Sequence, residues 1–256
     1  SLHQVGWCHE HVGRFEEALR WSERALTATE HADLEGDVDP GSLEATLHQI
    51  GGCHKSLGRF DEALTWFERA VAALDGVEDG RLDPRRLGVA IHDAGFCHME
   101  RERYEQALPW FERAAAHWEK GVEDGLVDPG QLARSLHSAG VCHIRLGSYE
   151  DALPWFERAV SATDENAGPS LHCIGDCLSE VGQIQEALRF YERAVSAKEA
   201  GDAKGRINPA SVGLSLHAIG CCHARLGQVD QARSWFERAI AAKERGDLHG
   251  LVDSDG

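Results

Sequence analysis

The side chains most able to do chemistry in this sequence are a cysteine and two histidines that recur together. The string Leu-His-x-x-Gly-x-Cys-His reads LHQVGWCH from Leu2, LHQIGGCH from Leu47, IHDAGFCH from Ile91, LHSAGVCH from Leu136 and LHAIGCCH from Leu216, with a degraded copy, LHCIGDCL, from Leu171. Thiol and imidazole together raise catalysis and zinc binding. On a helix, however, the first His, the Cys and the second His of one copy point about 140° and 240° apart, so one copy cannot chelate one ion. An active site also needs one constellation rather than six equivalents. No Gly-rich phosphate loop, nucleophile elbow or HExxH motif is present. The chain is therefore expected not to be an enzyme and to use no cofactor.

The recurring thiols Cys8, Cys53, Cys97, Cys142, Cys177 and Cys222 are expected to be small buried packing residues. A narrower exception is Cys173 with Cys177, four apart on one helix face and next in the stack to Cys221 and Cys222, a group that could hold zinc or act in redox chemistry. The second histidines (His9, His54, His98, His143 and His223) are expected to be satisfied core residues, since Leu178 serves at that place in the fifth copy. The acidic residues Asp75, Glu78, Asp79 and Asp83 lack a calcium-loop ligand pattern.

The elements that position these residues follow from the spacing between copies, 45, 44, 45, 35 and 45 residues. Each motif is followed by a turn around Gly13, Gly58, Gly147, Gly182 or Gly227, and only the third copy lacks that glycine, reading RERYEQAL. A second segment such as FDEALTWFERAV places Phe60, Ala63, Leu64, Phe67, Ala70 and Val71 at helical three- and four-residue steps. Between repeats, GDVDP, GRLDP, GLVDP and GRINP supply helix starts. Asp39, Asp83, Asp128 and Asn208 are the N-caps and Pro40, Pro84, Pro129 and Pro209 the first helical residues. Val38, Leu82, Val127 and Ile207, paired with Leu43, Leu87, Leu132 and Val212, match hydrophobic staples.

One repeat is thus helix A (about 40–56), a turn at Gly58, helix B (about 60–75) and a capped loop, and neither helix can bury its apolar face except by stacking on neighbouring pairs. The repeats fall at about 1–38, 39–82, 83–127, 128–166, 167–206 and 207–249, a single array over residues 1–256. Pro109 and Pro154 lie past the first turn of helix B, where each should remove one backbone bond and bend the helix. The 35-residue spacing leaves the fifth repeat a short helix A and predicts a local change of twist.

Leu47, Ile50, Gly51, Gly58, Phe60, Ala63, Phe67 and Ala70, with their equivalents in the other copies, resemble the tetratricopeptide repeat signature. The 45-residue period and the capped loop are most similar to the long-repeat branch that includes kinesin light chain. The resemblance implies an all-α fold, a right-handed α-solenoid of six helix-turn-helix repeats that acts as a protein-interaction scaffold. His54, His98, His143 and His223 stand where the family usually has an aromatic residue.

Counting 100° per residue from the repeat's glycine sorts helix A into two sides. The Leu, the apolar residue before the Gly, the Gly, the Cys and the second His form a packing side. Residues six, three and two before the Gly, and one, four and five after it, form the other. By the resemblance, that second side lines the concave groove that holds a partner peptide. Its one constant member is the first His, giving a ladder of His3, His48, His92, His137, His172 and His217, either ligand contacts or bonds to a neighbouring repeat. The variable positions include Trp7, Gln49, Lys55, Phe96, Met99, Arg134, Val141, Ile144, Arg145 and Arg225. They suggest a partner segment with apolar side chains over repeats three and four and acidic character near Arg134 and Arg145.

The balance of 43 acidic against 26 basic residues, a net charge of −17 with no basic block, argues against nucleic acid and anionic membranes as partners. The expected partner is a protein or peptide, not a small-molecule substrate. Lone thiols fit a reducing cytoplasm. The start without Met, inside a repeat, reads as part of a longer protein, so the array could also be the regulatory or sensor arm of a signalling NTPase or protease. Six stacked histidines offer a third possibility, collective charging as pH falls.

Overall fold

The computed structural model describes residues 2–33, 40–74, 83–163, 167–201 and 206–253. Among them are twelve helices and no strand: α1 Leu2–His11, α2 Phe15–Asp33, α3 Pro40–Ser56, α4 Phe60–Leu74, α5 Pro84–Glu100, α6 Tyr104–Glu123, α7 Pro129–Arg145, α8 Tyr149–Ala162, α9 Ala167–Glu180, α10 Ile184–Ala200, α11 Pro209–Arg225 and α12 Val229–Asp253. Odd-numbered helices carry the His-Gly-Cys motif and are the A helices; even-numbered ones are the B helices. The chain divides into two compact units, Ser1–Gln131 and Leu132–Gly256. In the first, each helix from α1 to α6 packs on the next, and in the second the same holds from α8 to α12.

Each hairpin turn is built by a residue in the left-handed region, with φ of +72° at Gly58 and +78° at Gly147. The amide of the following residue closes on the last turn of helix A, as when Arg59 N–H donates to His54 O at 2.9 Å. In the third repeat Glu102 takes this place at φ +56°, and the same bond forms from Arg103 to His98 O at 2.9 Å. The turn therefore survives without glycine, at the cost of a crowded Cβ.

The capping chemistry is present where it is described. The Asp83 carboxylate accepts from Arg85 N–H at 3.0 Å, Asp128 from Gly130 N–H at 3.2 Å and the Asn208 carbonyl from Ser211 N–H at 3.1 Å. Asp39, Val38, Leu82 and the acidic residues Asp75, Glu78 and Asp79 lie outside the described residues. One staple does not form: Ile207 is 51% exposed. Pro109 and Pro154 sit inside continuous helices α6 and α8. Helix α9 is shorter than the other full A helices, 14 residues against 17.

The motif glycine explains the core. An added Cβ would lie 2.7 Å from the Phe67 ring at Gly51, 2.7 Å from Phe156 at Gly140 and 2.5 Å from Tyr191 at Gly175. Helix B thus lays a buried aromatic ring directly on the backbone of helix A, and only glycine admits it. Cys53, Cys97, Cys142, Cys177 and Cys222 are buried beside this contact.

Candidate functional site

The first histidine packs on an aromatic ring in motifs two to six, and His48, His137 and His172 also bond to the next A helix. Its ring meets the helix-B aromatic of its own repeat: centroid distances are 5.2 Å for His48–Phe67, 5.1 Å for His92–Phe111, 5.4 Å for His137–Phe156, 5.2 Å for His172–Tyr191 and 5.1 Å for His217–Phe236. Its nitrogens reach the next A helix. His137 Nδ1 is 2.9 Å from Ser170 Oγ, His172 Nδ1 is 3.1 Å from Ser215 Oγ, and His48 Nε2 is 3.1 Å from Asp93 Oδ2. Ser170 and Ser215 immediately precede the motif leucine, so the serine in the string Ser-Leu-His was the signal for this bond.

Burial sets the charge of these rings. It pushes the His137 imidazole down to about 4 and also lowers His172 and His3. Burial thus holds His137, His172 and His3 below the ordinary imidazole range, which opposes their gaining charge near neutral pH. Asp93 is buried yet held below the usual carboxylate range. Burial alone would raise it, but the His48 hydrogen bond and the Lys55 charge outweigh that, with Lys55 Nζ 2.8 Å from Oδ1.

In the first unit, the outward sides of α1, α3 and α5 enclose a cavity of about 470 Å³. All six positions that the helical wheel assigns to this side in the second repeat line it: Ala45, His48, Gln49, Gly52, Lys55 and Ser56. From α1 come His3, Trp7, Glu10 and His11, and from α5 Arg85, Arg86 and Val89. Trp7 is 50% exposed and its ring lies against His11, tilted by 38° with centroids 3.7 Å apart. The floor is polar and tied down. Gln49 Oε1 accepts from the buried Ser22 hydroxyl at 2.9 Å, and its Nε2 donates to Glu10 at 3.4 Å. Arg86 Nε lies 2.7 Å from Glu44 Oε2, whose carboxyl burial pushes upward. Glu10, Glu44, Arg85 and Arg86 were not among the expected site residues. Arg85 and Arg86 lie one turn N-terminal to Val89, on the continuation of the same face.

The other expected residues are placed as follows. Phe96 is half-buried, meets Phe60 edge-on at 6.4 Å, and has Lys55 Nζ 5.7 Å from its ring; Met99 is also half-buried. In the second unit Arg134 and Arg145 are exposed, whereas Val141 and Ile144 pack against the hydrophobic core. Arg225 donates to the Ser179 carbonyl at 3.1 Å and hydroxyl at 2.7 Å. His92 is buried and His217 exposed.

No group of three His, Cys, Asp or Glu side chains among the described residues is arranged to hold a metal ion. The cysteines Cys173, Cys177, Cys221 and Cys222 therefore form no such cluster, and burial pushes Cys173 and Cys177 up to about 12, against thiolate formation. The second histidines stack on the helix-B tryptophan of their own repeat: His98 on Trp110, His143 on Trp155 and His223 on Trp235, at 6.2 to 6.4 Å. They are not fully satisfied, since the buried Nδ1 of His54 and of His98 has no hydrogen-bond partner. No described helix is long and apolar enough to cross a membrane.

Profiles of the tetratricopeptide repeat match residues 1–36, 46–81, 87–165, 131–200 and 215–245. No curated protein sequence matches significantly. Among solved structures, BtubC (BKLC) from P. vanneervenii is similar with a TM-score of 0.72 at 15% identity, over 91% of this chain and 92% of its own. A putative kinesin light chain from Podosopora anserina with nearly identical TPR-like repeats gives 0.61 at 19% identity, over 82% and 98%. YrrB, described as a TPR protein with an unusual peptide-binding site, gives 0.54 at 18% identity, over 80% and 90%. Six helix pairs, five of them closed by a glycine under an aromatic ring, and repeat profiles covering most of the sequence place this chain in the tetratricopeptide repeat family.

Proposed function

We propose that the chain is a protein-interaction scaffold whose A-helix face in the first unit holds an extended segment of a partner protein. The observation that carries this reading is the concavity of about 470 Å³ spanning three successive A helices, lined, apart from the constant His3 and His48, by residues that differ from repeat to repeat. A constant structural requirement would repeat itself, as the Gly, Cys and His positions do. The Trp7–His11 ledge supplies an exposed aromatic anchor of the kind that dominates interface energy. Arg85, exposed but already ion-paired with Asp83 at 2.9 Å, stands at the rim, where an acidic side chain of the partner would share it with that carboxylate. The likeness to YrrB supports a peptide as the ligand class.

Peptides selected from a random display library on the wild-type chain provide the test, with titration calorimetry on Trp7→Ala and Arg85→Ala. Both positions are solvent-facing, so helicity should be unchanged. The expected result is at least a tenfold loss of affinity with Trp7→Ala, about 1.4 kcal/mol. Full affinity in both variants would reject this face as the binding site.

A further inference from the structure

One corner of the helix pair is built differently in two repeats. In the third, Trp118 is fully buried on the backbone of Gly88, where an added Cβ would run into the indole. Val127 closes this corner, 2.8 Å from where a Cβ on Gly121 would stand. Eighty residues later, in the fifth repeat, the same four positions are Gly168, Lys198, Gly201 and Ile207. Both glycines persist but the indole does not. The Lys198 stem lies on Gly168, its Cγ 2.6 Å from an added Cβ, and Ile207 is 51% exposed instead of closing the corner. A cavity of about 370 Å³ remains, walled by Pro169, Ala197 and Ser211 as well as by these residues.

The charge of the corner changes with its shape. Leu126 and Asp128 of the third repeat's loop correspond to Arg206 and Asn208, and both of these line the cavity. Among the described residues no carboxylate lines it, in a chain of net charge −17. Lys198 is half-buried and donates to two neutral oxygens, Ser211 O at 3.0 Å and Ser215 Oγ at 2.8 Å. An ammonium carries three N–H donors, so these bonds leave one over. Burial holds the Lys198 pKa down, outweighing Cys173 and Asp176, which act to raise it. An anion brought against the ammonium would offset that desolvation.

We propose that this corner of the second unit binds a small organic anion, with its carboxylate between Lys198 and Arg206 and a flat apolar body against Pro169 and Ile207. The third repeat argues for a ring, because there the equivalent corner is filled by an indole. The cavity also falls within the usual size of small-ligand sites. None of its lining residues belongs to the first unit, so the site stands apart from the A-helix groove described above and does not depend on the scaffold reading.

Titration calorimetry of the whole chain with indole-3-acetate tests the proposal. One saturable site with a Kd below about 1 mM is expected. Indole-3-acetamide keeps the shape without the charge, and inorganic phosphate keeps a charge without the ring; each should bind about tenfold more weakly or worse. Lys198→Trp refills the corner as in the third repeat, and Lys198→Met keeps the stem but removes the charge. Both should weaken indole-3-acetate by about tenfold or more, with unchanged circular dichroism. Arg206→Gln, at an exposed position, should also weaken it, and carries the test if a Lys198 variant does not fold. The proposal is overturned by a wild-type chain that shows no saturable binding, by equal affinity for the acetamide or for phosphate, or by full affinity in the folded variants.

Discussion

His137 Nδ1 lies 2.9 Å from Ser170 Oγ, joining the A helix of the fourth repeat to that of the fifth. The bond and the Phe156 ring against the imidazole make this histidine part of the inter-repeat core. Burial lowers its folded-state pKa from the ordinary 6.5 to about 4. The unfolded chain therefore binds the proton more tightly, and stability falls as pH drops from about 6.5 towards 4, by up to roughly 3 kcal/mol. Urea midpoints measured at pH 7 and pH 4.5 should differ less in His137→Gln than in the wild-type chain. An equal pH dependence in the two proteins would contradict the assignment.

The contact between Gly140 and Phe156 leaves no room for a methyl group, with a Cβ falling 2.7 Å from the ring. Phe156 is fully buried and cannot retreat into solvent. Gly140→Ala should therefore cost about 2 kcal/mol in chemical denaturation, despite the better helix propensity of alanine. A neutral or stabilising effect would mean that helix B can slide away from helix A.

The opposite substitution should help at the third turn. Glu102 occupies the left-handed region at φ +56°, where five other repeats have glycine. Glu102→Gly removes the steric cost of that conformation and should raise stability by about 1 kcal/mol, net of the added freedom of the unfolded chain. Thermal denaturation of the single variant checks this, a lowered Tm being the contrary result.

Much of the architecture was legible because each repeat constrains the same positions. The turn glycines, the Asp-Pro and Asn-Pro starts and the three- and four-residue apolar steps gave helix bounds close to those observed, such as Pro40–Ser56 and Phe60–Leu74. The wheel also separated the side of α3 that faces the cavity from the side that packs. What it could not show was reach. Whether His48 turns towards a ligand or towards Asp93 depends on which residue the next A helix brings within 3.1 Å, and that is set by stacking rather than by local periodicity. Val141 and Ile144 illustrate the same limit: both lie on the wheel's outer side, yet both are drawn into the core of the second unit. Ile207 fails as a staple for a related reason, since an apolar residue before a cap packs only if the loop turns it inward.

The most direct test of the proposed scaffold role is to map where a partner segment lies. A photo-crosslinking residue placed in turn at Ala45, Gly52 and Val89 on the A-helix face, and at Thr65 and Glu68 on the exposed side of α4, would be irradiated with a library-selected peptide. Crosslinks from the first three positions and none from α4 are predicted. Crosslinks confined to Thr65 and Glu68 would show that the partner binds the B-helix side, and would contradict the assignment of function to the groove.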